Sequence, residues 1–518
     1  MKKVFGLFSF FSFSISFSQT FQNILIGSDW KPNEPAICIS PTDTNKVFAA
    51  ANINLIYYSV DGGKTWTSSH ATSQYGVFGD PCIVADTAGN FLYFHLAKND
   101  TVTVWPKWAD RIVCQKTNNG GSTWLADSYA GYDPPFMQDK EWAAVDPQTN
   151  TIYVSWTEFA EYGSSLPTDS AQLFFSKSDD GGITWSIKKR IGNFTGDCLD
   201  SDSTIEGAMP AVGINGEVYE CWAFDKKIYF NKSSDGGNTW LPDDLEVSNQ
   251  FVGWDYEVQG IFRCNGLPVI QCDLSNSAYR GTIYINWTDK INGASDADVF
   301  ISKSIDGGNT WSAPKRVNDD AAGKENFMSW MTIDQSSGNI YVLFYDRRNF
   351  DGDTTEVFFA RSTDGGNTFT NYLLSQNYFV PRSNVFFGDY INISAVNGCV
   401  RPIWMRMDSN ATSIYTALIN FVDTIPSAVE IIDENSIGRL MTENPTQGKC
   451  VIAFENLSGD AFAELIDISG RTILRFENIA ENHFLKFNLS ELNLPAGIFL
   501  VRCFDTDKVQ TIRVVFTG

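Results

Sequence analysis

The chain has 518 residues, and 38 Lys plus Arg stand against 61 Asp plus Glu, which gives a formal charge of −23. So acidic a chain repels nucleic acid and anionic membrane surfaces, and neither is expected as a partner. After the N-terminal segment no run of about 20 apolar residues is present, so insertion into a membrane is not expected either. We expect a monomer.

The N-terminal segment predicts export. Lys2 and Lys3 precede an apolar run rich in Phe that ends in Ser16-Phe17-Ser18, a small-x-small cleavage pattern. Residues 1–18 are therefore predicted to be a signal peptide, and no Cys follows the cleavage site to carry a lipid anchor. The ten cysteines of an exported chain are permitted to form disulfides. The candidate pairs are Cys264 with Cys272 and Cys450 with Cys503.

Six copies of one turn, SxDxGxTW or close to it, recur along residues 59–369. At a hairpin, the Ser and Asp side chains accept hydrogen bonds from nearby backbone N–H groups, the Gly permits positive φ, and the Trp buries against a neighbouring sheet. Because a turn repeated in every unit cannot converge on one substrate, we interpret these turns as structural. Their acidic positions are Asp61, Asn119, Asp180, Asp235, Asp306 and Asp364.

The acidic positions recur every 55 to 71 residues, a period that fits one four-stranded propeller blade with its loops. Each repeat predicts three strands before its turn and one after it. A last repeat, Asp389–Ile419, has three strands and no such turn, and Gln22–Gly27 is placed to supply its fourth strand and close a ring. The prediction is an all-β, seven-bladed propeller over residues 19–425. The alternative is a six-bladed ring with one stretch packed outside.

These turns, known as Asp boxes, resemble those of the sialidase superfamily of β-propellers over residues 30–421. The resemblance implies an Arg-Ile-Pro motif whose Arg holds a substrate carboxylate, but the chain has Asn33-Glu34-Pro35-Ala36-Ile37 there, and a Glu would repel that carboxylate. It also implies a Tyr nucleophile with a Glu partner, an Asp acid/base and further arginines. Tyr390 is the candidate nucleophile, and the candidate arginines are Arg263, Arg347, Arg348, Arg382 and Arg406.

Propeller ligands usually meet the face formed by loops entering the first strand and leaving the second strand of each blade. At those positions the chain places mainly carboxylates, with one basic sector at Asp346-Arg347-Arg348. Such carboxylates suit acid and base work on a glycoside or the binding of calcium, which remains unassigned; no cofactor and no zinc site are predicted. The alternative is solvated loop charge, and for Asp346-Arg347-Arg348 an ion pair bracing two blades. The catalytic candidates are Asp346, Asp80, Tyr390 and Glu206, and the ligand-binding candidates are Arg347, Arg348, Arg406, Arg263 and Asp389.

After Ile419 the pattern changes, and residues 426–439 are predicted to be a linker to a separate domain, 440–518. Its segments ENPTQGK, AELIDISGR and LNLPAGIFLV resemble the C-terminal sorting domain that the type IX secretion system of Bacteroidetes reads, a small β-sandwich. The resemblance implies passage through the periplasm, then release or surface attachment. A carbohydrate-binding sandwich is the alternative, but it would need an exposed aromatic platform, and this segment has no Trp and no Tyr.

The sequence leaves two functions open. One is a secreted or surface-attached propeller that binds a glycan or a cell-surface protein without an intact sialidase site, which the missing Arg-Ile-Pro motif favours. The other is a glycoside hydrolase of exo-sialidase type that uses carboxylates of the loop face.

Overall fold

The computed structural model describes residues 21–98, 108–421, 438–440, 449–454, 461–467, 471–477, 479, 484–492, 494, 497–505 and 508–516. The chain divides into two compact units, 1–421 and 422–518. The predicted signal peptide and residues 426–437 of the predicted linker lie outside the described residues. Within the described ranges no α-helix is present, and no helix is long and apolar enough to cross a membrane.

The first unit consists of short antiparallel strands. In chain order they begin with β1 (Gln22–Gly27), β2 (Ala36–Ile39), β3 (Val47–Ala51), β4 (Leu55–Ser59), β5 (Thr67–His70), β6 (Cys82–Ala85), β7 (Phe91–Lys98), β8 (Trp108–Thr117), β9 (Ala126–Ala130), β10 (Met137–Val145), β11 (Ile152–Phe159), β12 (Ala171–Ser178) and β13 (Lys189–Gly196). They continue with β14 (Glu206–Val212), β15 (Val218–Phe224), β16 (Lys227–Ser233), β17 (Leu245–Asn249), β18 (Asp255–Tyr256), β19 (Cys264–Asn265), β20 (Val269–Cys272), β21 (Ile283–Asp289), β22 (Asp298–Ser304), β23 (Lys315–Arg316), β24 (Asn326–Asp334), β25 (Asn339–Asp346), β26 (Glu356–Ser362), β27 (Thr370–Leu373), β28 (Asn392–Val396), β29 (Cys399–Asp408) and β30 (Ala411–Asn420).

Seven four-stranded sheets are found among the described residues of this unit. A two-stranded sheet, β18 with β19, lies along the chain between β17 and β20, the end of one four-stranded sheet and the start of the next. Six of the seven contain four consecutive strands, such as β2-β3-β4-β5, whereas the seventh has the order β1-β30-β29-β28. In that sheet the N-terminal strand pairs with β30, Asn23 opposite Ala417, as the sequence predicted. The chain therefore joins its first strand to the last sheet of the unit.

The first strands of successive sheets contact one another in cyclic order: β2, β6, β10, β14, β20, β24, β28 and again β2. The second strands of the sheets are almost wholly buried, and all eight residues of β11 and of β25 are buried. Strands buried on both faces read as near-continuous apolar runs, as Ile340–Tyr345 of β25 does. This all-β arrangement is consistent with a β-propeller.

The six repeated turns have one hydrogen-bond pattern. In the third copy, Asp180 Oδ1 accepts from the backbone N of Ile183 at 3.0 Å and of Thr184 at 2.9 Å, while Ser178 Oγ accepts from Gly182 N at 2.8 Å. In the second copy, Asn119 Oδ1 accepts from Thr123 N at 3.0 Å, so the amide satisfies the same turn. The pattern is local to the turn, which is why the motif reads directly from the sequence.

The turns also join neighbouring sheets. Gly237 has a φ of 81°, and a Cβ there would lie 2.2 Å from the ring of Phe175 in the preceding sheet, so only glycine fits. Trp240 of the same turn packs edge-on against Phe175 with ring centroids 5.2 Å apart. Trp311 packs in the same way on Phe230, also at 5.2 Å.

The second unit contains β31 (Gly438–Leu440), β32 (Lys449–Phe454), β33 (Phe462–Asp467), β34 (Thr472–Phe476), β35 (Phe484–Asn488), a short 3-10 helix (Leu489–Leu492), β36 (Gly497–Asp505) and β37 (Lys508–Phe516). The strands form two antiparallel sheets, β31-β32-β35 and β34-β33-β36-β37. Buried side chains of both sheets, among them Ile452, Leu465 and Val501, share one hydrophobic core.

Neither candidate disulfide is formed. Cys264, Cys272 and Cys503 are thiols in the structure. Burial raises the pKa of the Cys264 and Cys272 thiols to about 12, so they pack as small apolar residues.

Candidate functional site

A cavity of about 740 Å³ opens in the first unit where the segments before the first strands of the sheets converge. Polar side chains share its wall with aromatic rings, a combination common in sites for organic ligands. Its lining is Trp30, Lys31, Asn33, Glu34, Asn52, Ile53, Asn54, Leu55, His70, Phe78, Asp80, Leu96, Asp139, Lys140, Tyr162, Arg263 and Phe386.

Three charged residues of this lining occupy one repeated backbone position. Glu34, Asp80 and Lys140 immediately precede or lie in the first strands of successive sheets, and their φ values are 50°, 52° and 52°. The positive φ of Lys140 falls in a bulge, where the register of β10 against β11 shifts between Asp139 and Trp142. Bulges re-aim side chains at the rims of sheets, and non-glycine residues with positive φ are uncommon. The same backbone irregularity thus presents a different side chain from each sheet.

Lys140 lines the cavity and is almost wholly buried. Its Nζ lies 2.7 Å from Asp389 Oδ2 and 3.6 Å from Asp80 Oδ2, and its side chain is only 6% exposed. Burial by itself would lower the pKa of Lys140, but the carboxylates of Asp389, Asp80 and Glu34 outweigh it and raise the pKa well above its usual value. Lys140 is therefore a permanent cation at the centre of a carboxylate cluster.

Asp389 receives a second cation. Arg263, from the segment that carries the small β18-β19 sheet, donates from Nε to Asp389 Oδ1 at 2.7 Å and from Nη2 to Oδ2, a bidentate arrangement. Burial favours the neutral acid, but Lys140 and Arg263 outweigh it and lower the pKa of Asp389 to about 2. Arg263 also pairs with Asp200, whose Oδ2 accepts from Tyr162 Oη at 2.6 Å. Asp389 is thus a fixed anion.

Glu34 and Asp139 have the opposite electrostatic environment. Glu34 accepts from Asn52 Nδ2 and from the backbone N of Asp389, the latter at 3.1 Å. That approach needs Gly388, where a Cβ would lie 2.9 Å from the backbone N of Glu34. Burial first, then the charges of Asp80 and Asp389, raise the pKa of Glu34 well above its usual value. Burial and Asp80, to which it is hydrogen-bonded, do the same to Asp139.

Two further carboxyl groups, Glu141 and Glu206, lie behind this wall. They are 1% and 0% exposed, and none of their four carboxyl oxygens has a hydrogen-bond partner among the described residues. Burial chiefly raises the pKa of both, aided by Asp80 at Glu141 and by Asp139 and Asp200 at Glu206. Buried carboxyl groups without partners are costly, so they indicate a site under functional constraint rather than optimised packing.

Aromatic rings form the rim of the cavity. Trp30 is 78% exposed and meets His70 edge-on with centroids 6.0 Å apart. Across the lining, Phe386 packs perpendicular to Phe262 at 6.0 Å, and the Arg263 guanidinium lies 5.7 Å from the Phe386 ring. An exposed Trp beside a polar cavity offers a flat apolar surface next to hydrogen-bonding groups.

The structure brings five of the predicted residues together. Asp80 and Arg263 line the cavity, and Asp389 binds Arg263 and Lys140. Glu206 lies behind the wall within electrostatic reach of Asp139 and Arg263. Tyr390 is 6% exposed and packs against Trp142 with centroids 4.9 Å apart, and its pKa is raised well above its usual value by burial and then by Asp80 and Glu34.

The other predicted residues lie in different clusters, and the described lining of the cavity does not include them. Asp346 accepts from the backbone N and from Nε of Arg348, each at 2.7 Å, and Arg348 Nη1 lies 2.5 Å from Asp319 Oδ1. Burial above all raises the pKa of Asp346 to about 7, against the lowering effect of Arg348. This arrangement corresponds to the bracing alternative of the sequence analysis.

Arg347 and Arg406 each have their own partners. Arg347 is 3% exposed and donates from Nη2 to the carbonyl O of Gln259 at 2.7 Å and from Nε to Thr355 Oγ1 at 3.1 Å. Arg406 donates to Asp408 Oδ1 at 2.9 Å. Of the candidate arginines, Arg263 alone lines the cavity within the described chain, so three arginines do not meet at one point there.

The sequence analysis did not single out several residues that form or support the cavity. Connecting segments carry four of them, Trp30, Asn52, Tyr162 and Asp200, and no periodic pattern assigns such segments to a face. Lys140 differs, because its position directly after Asp139 at the entry to a first strand could have indicated it. Among the described residues, no group of three or more His, Cys, Asp or Glu has the arrangement of a metal site.

No protein-family model matches the chain, and no curated protein sequence matches it. Solved structures with a similar fold include a Hadza microbial sialidase, Hz136, at 14% identity and a TM-score of 0.42 over 73% of each chain. A polysaccharide lyase of family PL25, an ulvan lyase, aligns at 14% identity and a TM-score of 0.48 over 77% of this chain and 96% of the lyase. The Trypanosoma rangeli sialidase aligns at 11% identity and a TM-score of 0.41 over 87% of this chain and 85% of the sialidase. No activity is transferred to this chain from likenesses of this size.

Proposed function

We propose that this protein binds a saccharide in the 740 Å³ cavity, outside the cell. The observation that carries the proposal is the pairing of an exposed Trp30 with a wall of carboxyl and amide groups, Glu34, Asn52, Asp80 and Asp139. Sugar hydroxyls donate to carboxylates and exchange hydrogen bonds with amides, while the C–H face of a pyranose packs on an aromatic ring. The supporting geometry is fixed, because Lys140 and Arg263 hold Asp389 and the backbone around it.

The cavity is proposed to take neutral or cationic saccharides rather than sialic acids. A sialoside carboxylate would meet Glu34, Asp80 and Asp139, and two of the three cations in the described lining, Arg263 and Lys140, are already bonded to Asp389. A carboxylate ligand would therefore have to pair with the exposed third cation, Lys31, while lying near other anions, or displace an existing ion pair.

Binding of a panel of immobilised glycans by the full-length chain tests the proposal. We expect binding to at least one uncharged or amino-sugar glycan, and weaker binding of the same glycan by Trp30→Ala and Asp139→Asn. A control variant, Asp243→Asn, removes an exposed carboxylate outside the cavity lining and should bind as the unaltered protein does. Absence of binding to every glycan by a cooperatively folded protein would contradict the proposal, and a protein surface would then be the better candidate ligand.

Glycoside hydrolysis is a second candidate, favoured by one observation. Asp139 has a raised pKa and is hydrogen-bonded to Asp80, while Asp389 in the same cluster has its pKa lowered to about 2. Carboxyl groups whose environments push their pKa values apart are the pattern of acid and base pairs in glycosidases. In this candidate Asp139 donates its proton to the leaving glycosidic oxygen, while a water molecule adds to the anomeric carbon and gives up a proton to a carboxylate of the cluster, which restores the number of protons there.

Turnover of a panel of aryl glycosides, sialosides included, tests the second candidate. We expect any turnover to fall by several orders of magnitude in Asp139→Asn and to persist in Asp346→Asn, since Asp346 lies in the Arg348 cluster. Turnover that depends on Asp346 but not on Asp139 would place the chemistry elsewhere. Binding without turnover of any substrate would leave the protein a binding module.

Finer features of the architecture complete the proposal. We propose that the seven sheets are the blades of one closed propeller and that the second unit is a β-sandwich read by the type IX secretion machinery. The support is the cyclic contact order of the first strands and the shared core of the two C-terminal sheets. Deletion of residues 440–518 in the native host is expected to trap the first unit in the periplasm, and unaffected export would contradict this role.

A further inference from the structure

Three tyrosines lie together on the surface of the first unit, and we call Tyr75, Tyr129 and Tyr132 the tyrosine cluster. Tyr75 meets Tyr129 edge-on with ring centroids 5.0 Å apart, and Tyr129 meets Tyr132 in the same way at 5.9 Å. Tyr129 is 38% exposed and Tyr132 is 49% exposed. Contiguous exposed apolar surface marks a binding site, whereas single exposed rings are ordinary.

Arg111 supports all three rings from below. Its guanidinium carbon lies 5.0 Å from the ring centroid of Tyr75, 4.7 Å from that of Tyr129 and 4.0 Å from that of Tyr132. The side chain is only 12% exposed, and it donates from Nε to Asp110 Oδ1 at 2.9 Å and from Nη2 to Asp110 Oδ2 at 2.7 Å. Because the rings rest on a largely buried ion pair, no ligand is needed to order them, and such preorganisation favours binding.

The segment that carries Tyr75 is also tied to the outer strand that carries Tyr129. Asp127, in the same strand, accepts from Ser73 Oγ at 3.0 Å and from the backbone N of Gln74 at 3.2 Å. These bonds fix the position of Tyr75 relative to Tyr129. The tyrosine cluster is therefore a rigid surface rather than a chance contact of mobile rings.

The same segment leads into the cavity of the proposed function. It runs beside the end of β7, because Tyr75 O accepts from Lys98 N at 3.0 Å and Leu96 O accepts from Phe78 N at 2.9 Å. Phe78 and Leu96 both line the cavity. Only residues 76 and 77 separate Phe78 from Tyr75 along the chain. A ligand that leaves the cavity past Phe78 therefore reaches the tyrosine cluster next.

The charged groups at the tyrosine cluster are already paired. Arg111 is bonded to Asp110, and Asp133, next to Tyr132 in the chain, pairs with Lys188 at 2.8 Å. Paired charges give little preference for an ionic ligand, so recognition here depends on the rings. Their faces pack on C–H groups, and their hydroxyl groups donate and accept hydrogen bonds. An uncharged sugar unit offers both kinds of contact.

We propose that the ligand is an uncharged saccharide chain, one part of which lies in the cavity while further units lie on the tyrosine cluster. This inference rests on the saccharide-binding function proposed above. It joins the cavity and the cluster into one extended site, in which the chain passes Phe78 on its way to Tyr75, Tyr129 and Tyr132. Affinity then depends on chain length, because a short saccharide fills the cavity without reaching the rings.

Calorimetric titration of the full-length chain with the disaccharide and the hexasaccharide of three uncharged series, derived from cellulose, mannan and xylan, tests the inference. In at least one series we expect the hexasaccharide to bind at least about tenfold more tightly than the disaccharide, since each aromatic contact is worth about three- to tenfold. The preference should persist at about 0.5 M NaCl, where charges are screened over roughly 4 Å, because ring contacts are not ionic.

Substitutions in the tyrosine cluster should act on the hexasaccharide alone. Tyr132→Ala is expected to weaken its binding about three- to tenfold and to leave the affinity for the disaccharide unchanged. Tyr132→Phe keeps the ring and should keep the preference for the longer chain. The control Tyr378→Ala removes a tyrosine that is 58% exposed and lies outside both the cluster and the cavity lining, and it should change neither affinity.

The outcomes separate this inference from the function it rests on. Equal affinities for the two chain lengths would overturn the inference, and a fall of both in Trp30→Ala would leave saccharide binding in the cavity intact. A length preference that survives in Tyr132→Ala and in Tyr129→Ala would overturn the assignment to the tyrosine cluster. Hexasaccharide binding that Tyr132→Ala weakens but Trp30→Ala and Asp139→Asn do not would overturn the continuity of the two surfaces. Failure of every probe to bind would overturn the inference, and the panel of immobilised glycans then decides separately whether saccharide binding itself fails.

Discussion

The repeated hairpin turns and the segments that enter the first strands differ in how strictly they keep the sequence repeat. At the repeated turns, six hairpins use the same side chains for the same hydrogen bonds, and even Asn119 reproduces the pattern of its acidic counterparts. At the entry to the first strands, one backbone position with positive φ holds Glu34, then Asp80, then Lys140. The hairpins preserve the repeat, whereas the strand entries break it, and the difference indicates that the fold depends on the first set and the ligand site on the second.

Energetics sharpen the same contrast. The Ser178 and Asp180 acceptors of the third Asp box are satisfied by nearby backbone donors, but the cavity keeps buried acids such as Glu206 without hydrogen-bond partners among the described residues. Proteins retain such local conflicts chiefly at functional sites. Substitutions of the buried charged groups at the cavity should therefore alter stability strongly and in different directions, while substitutions in one hairpin should have small effects on stability alone.

The largest effect is expected for Lys140→Met. Removal of this buried cation leaves Asp389, Asp80 and Glu34 facing one another, and loss of one partner from a buried ion pair costs about 3–5 kcal/mol. Denaturant unfolding should show this fall in the free energy of unfolding together with loss of ligand binding. The control Lys227→Met removes an exposed ion pair with Glu246 and should leave the unfolding midpoint unchanged. A Lys140→Met protein as stable as the unaltered one would mean that the cluster does not depend on its central cation.

A second prediction concerns Glu206→Gln, which should raise stability. The pKa of Glu206 is raised in the folded protein above its unfolded value of about 4.3, so its ionised form costs free energy of folding at neutral pH. That cost diminishes as pH falls toward about 4, where the acid is protonated in both states. The groups acting on Glu206 are Asp139, Asp200, Lys140 and Arg263.

Thermal melting of Glu206→Gln and of the unaltered protein between pH 8 and pH 4 checks this sign. We expect the variant to be more stable by about 1–2 kcal/mol at pH 8 and equal at pH 4. The exposed control Glu246→Gln should show no such gap that depends on pH. A variant that is less stable at pH 8 would indicate that Glu206 has a partner in solution.

The hairpins predict a smaller effect and the opposite response to pH. Asp180→Ala removes the acceptor for Ile183 N and Thr184 N and should cost about 1 kcal/mol, whereas Asp180→Asn should cost less, because Asn119 fills the same role in the second turn. Burial would raise the pKa of Asp180, but the hydrogen bonds from Thr184 and Ser178 outweigh it and lower the pKa to about 2. Its contribution is therefore present above the unfolded pKa of about 3.9 and lost as pH falls toward 2.

Denaturant unfolding of both Asp180 variants at pH 7 and at pH 2.5 checks this behaviour. The gap between Asp180→Asn and the unaltered protein should close at the lower pH, and ligand affinity at pH 7 should not change in either variant. A loss of affinity in Asp180→Ala would show that the hairpins and the cavity are coupled, against the contrast drawn here.

Sequence reasoning reached the hairpins and the strand entries because both are short-range. The Asp box is complete within eight residues, and the first strands follow from runs such as Cys82–Ala85, so Asp80 and Glu206 could be assigned to the loop face. The pairing of Gln22–Gly27 with the last sheet followed from a strand count. These predictions used periodicity, which the repeat supplies.

The connections within the site could not be reached in that way. Arg263 and Asp389 are 126 residues apart, and nothing in either segment indicates the other. Asp346-Arg347-Arg348 misled for the reverse reason: three charged neighbours in sequence suggested one site, but Asp346 pairs with Arg348 while Arg347 turns to Gln259 and Thr355. Side-chain direction in a connecting segment depends on its tertiary neighbours, which a single sequence does not list.

The smallest effect on stability is expected for Trp30→Ala. Because folding should not change, any change in saccharide affinity can be assigned to the loss of the ring itself. The ring is 78% exposed, so its removal withdraws almost no packing from the core and should leave the unfolding midpoint unchanged. If the rim is the platform for a sugar face, saccharide affinity should nevertheless fall about three- to tenfold, the worth of one aromatic contact. Ile187→Ala removes an equally exposed apolar side chain outside the cavity lining and should change neither quantity. An unchanged affinity in Trp30→Ala would move the ligand away from the rim and onto the acidic wall alone, because the remaining lining groups around Asp80 and Asp139 would then supply the whole of the binding free energy.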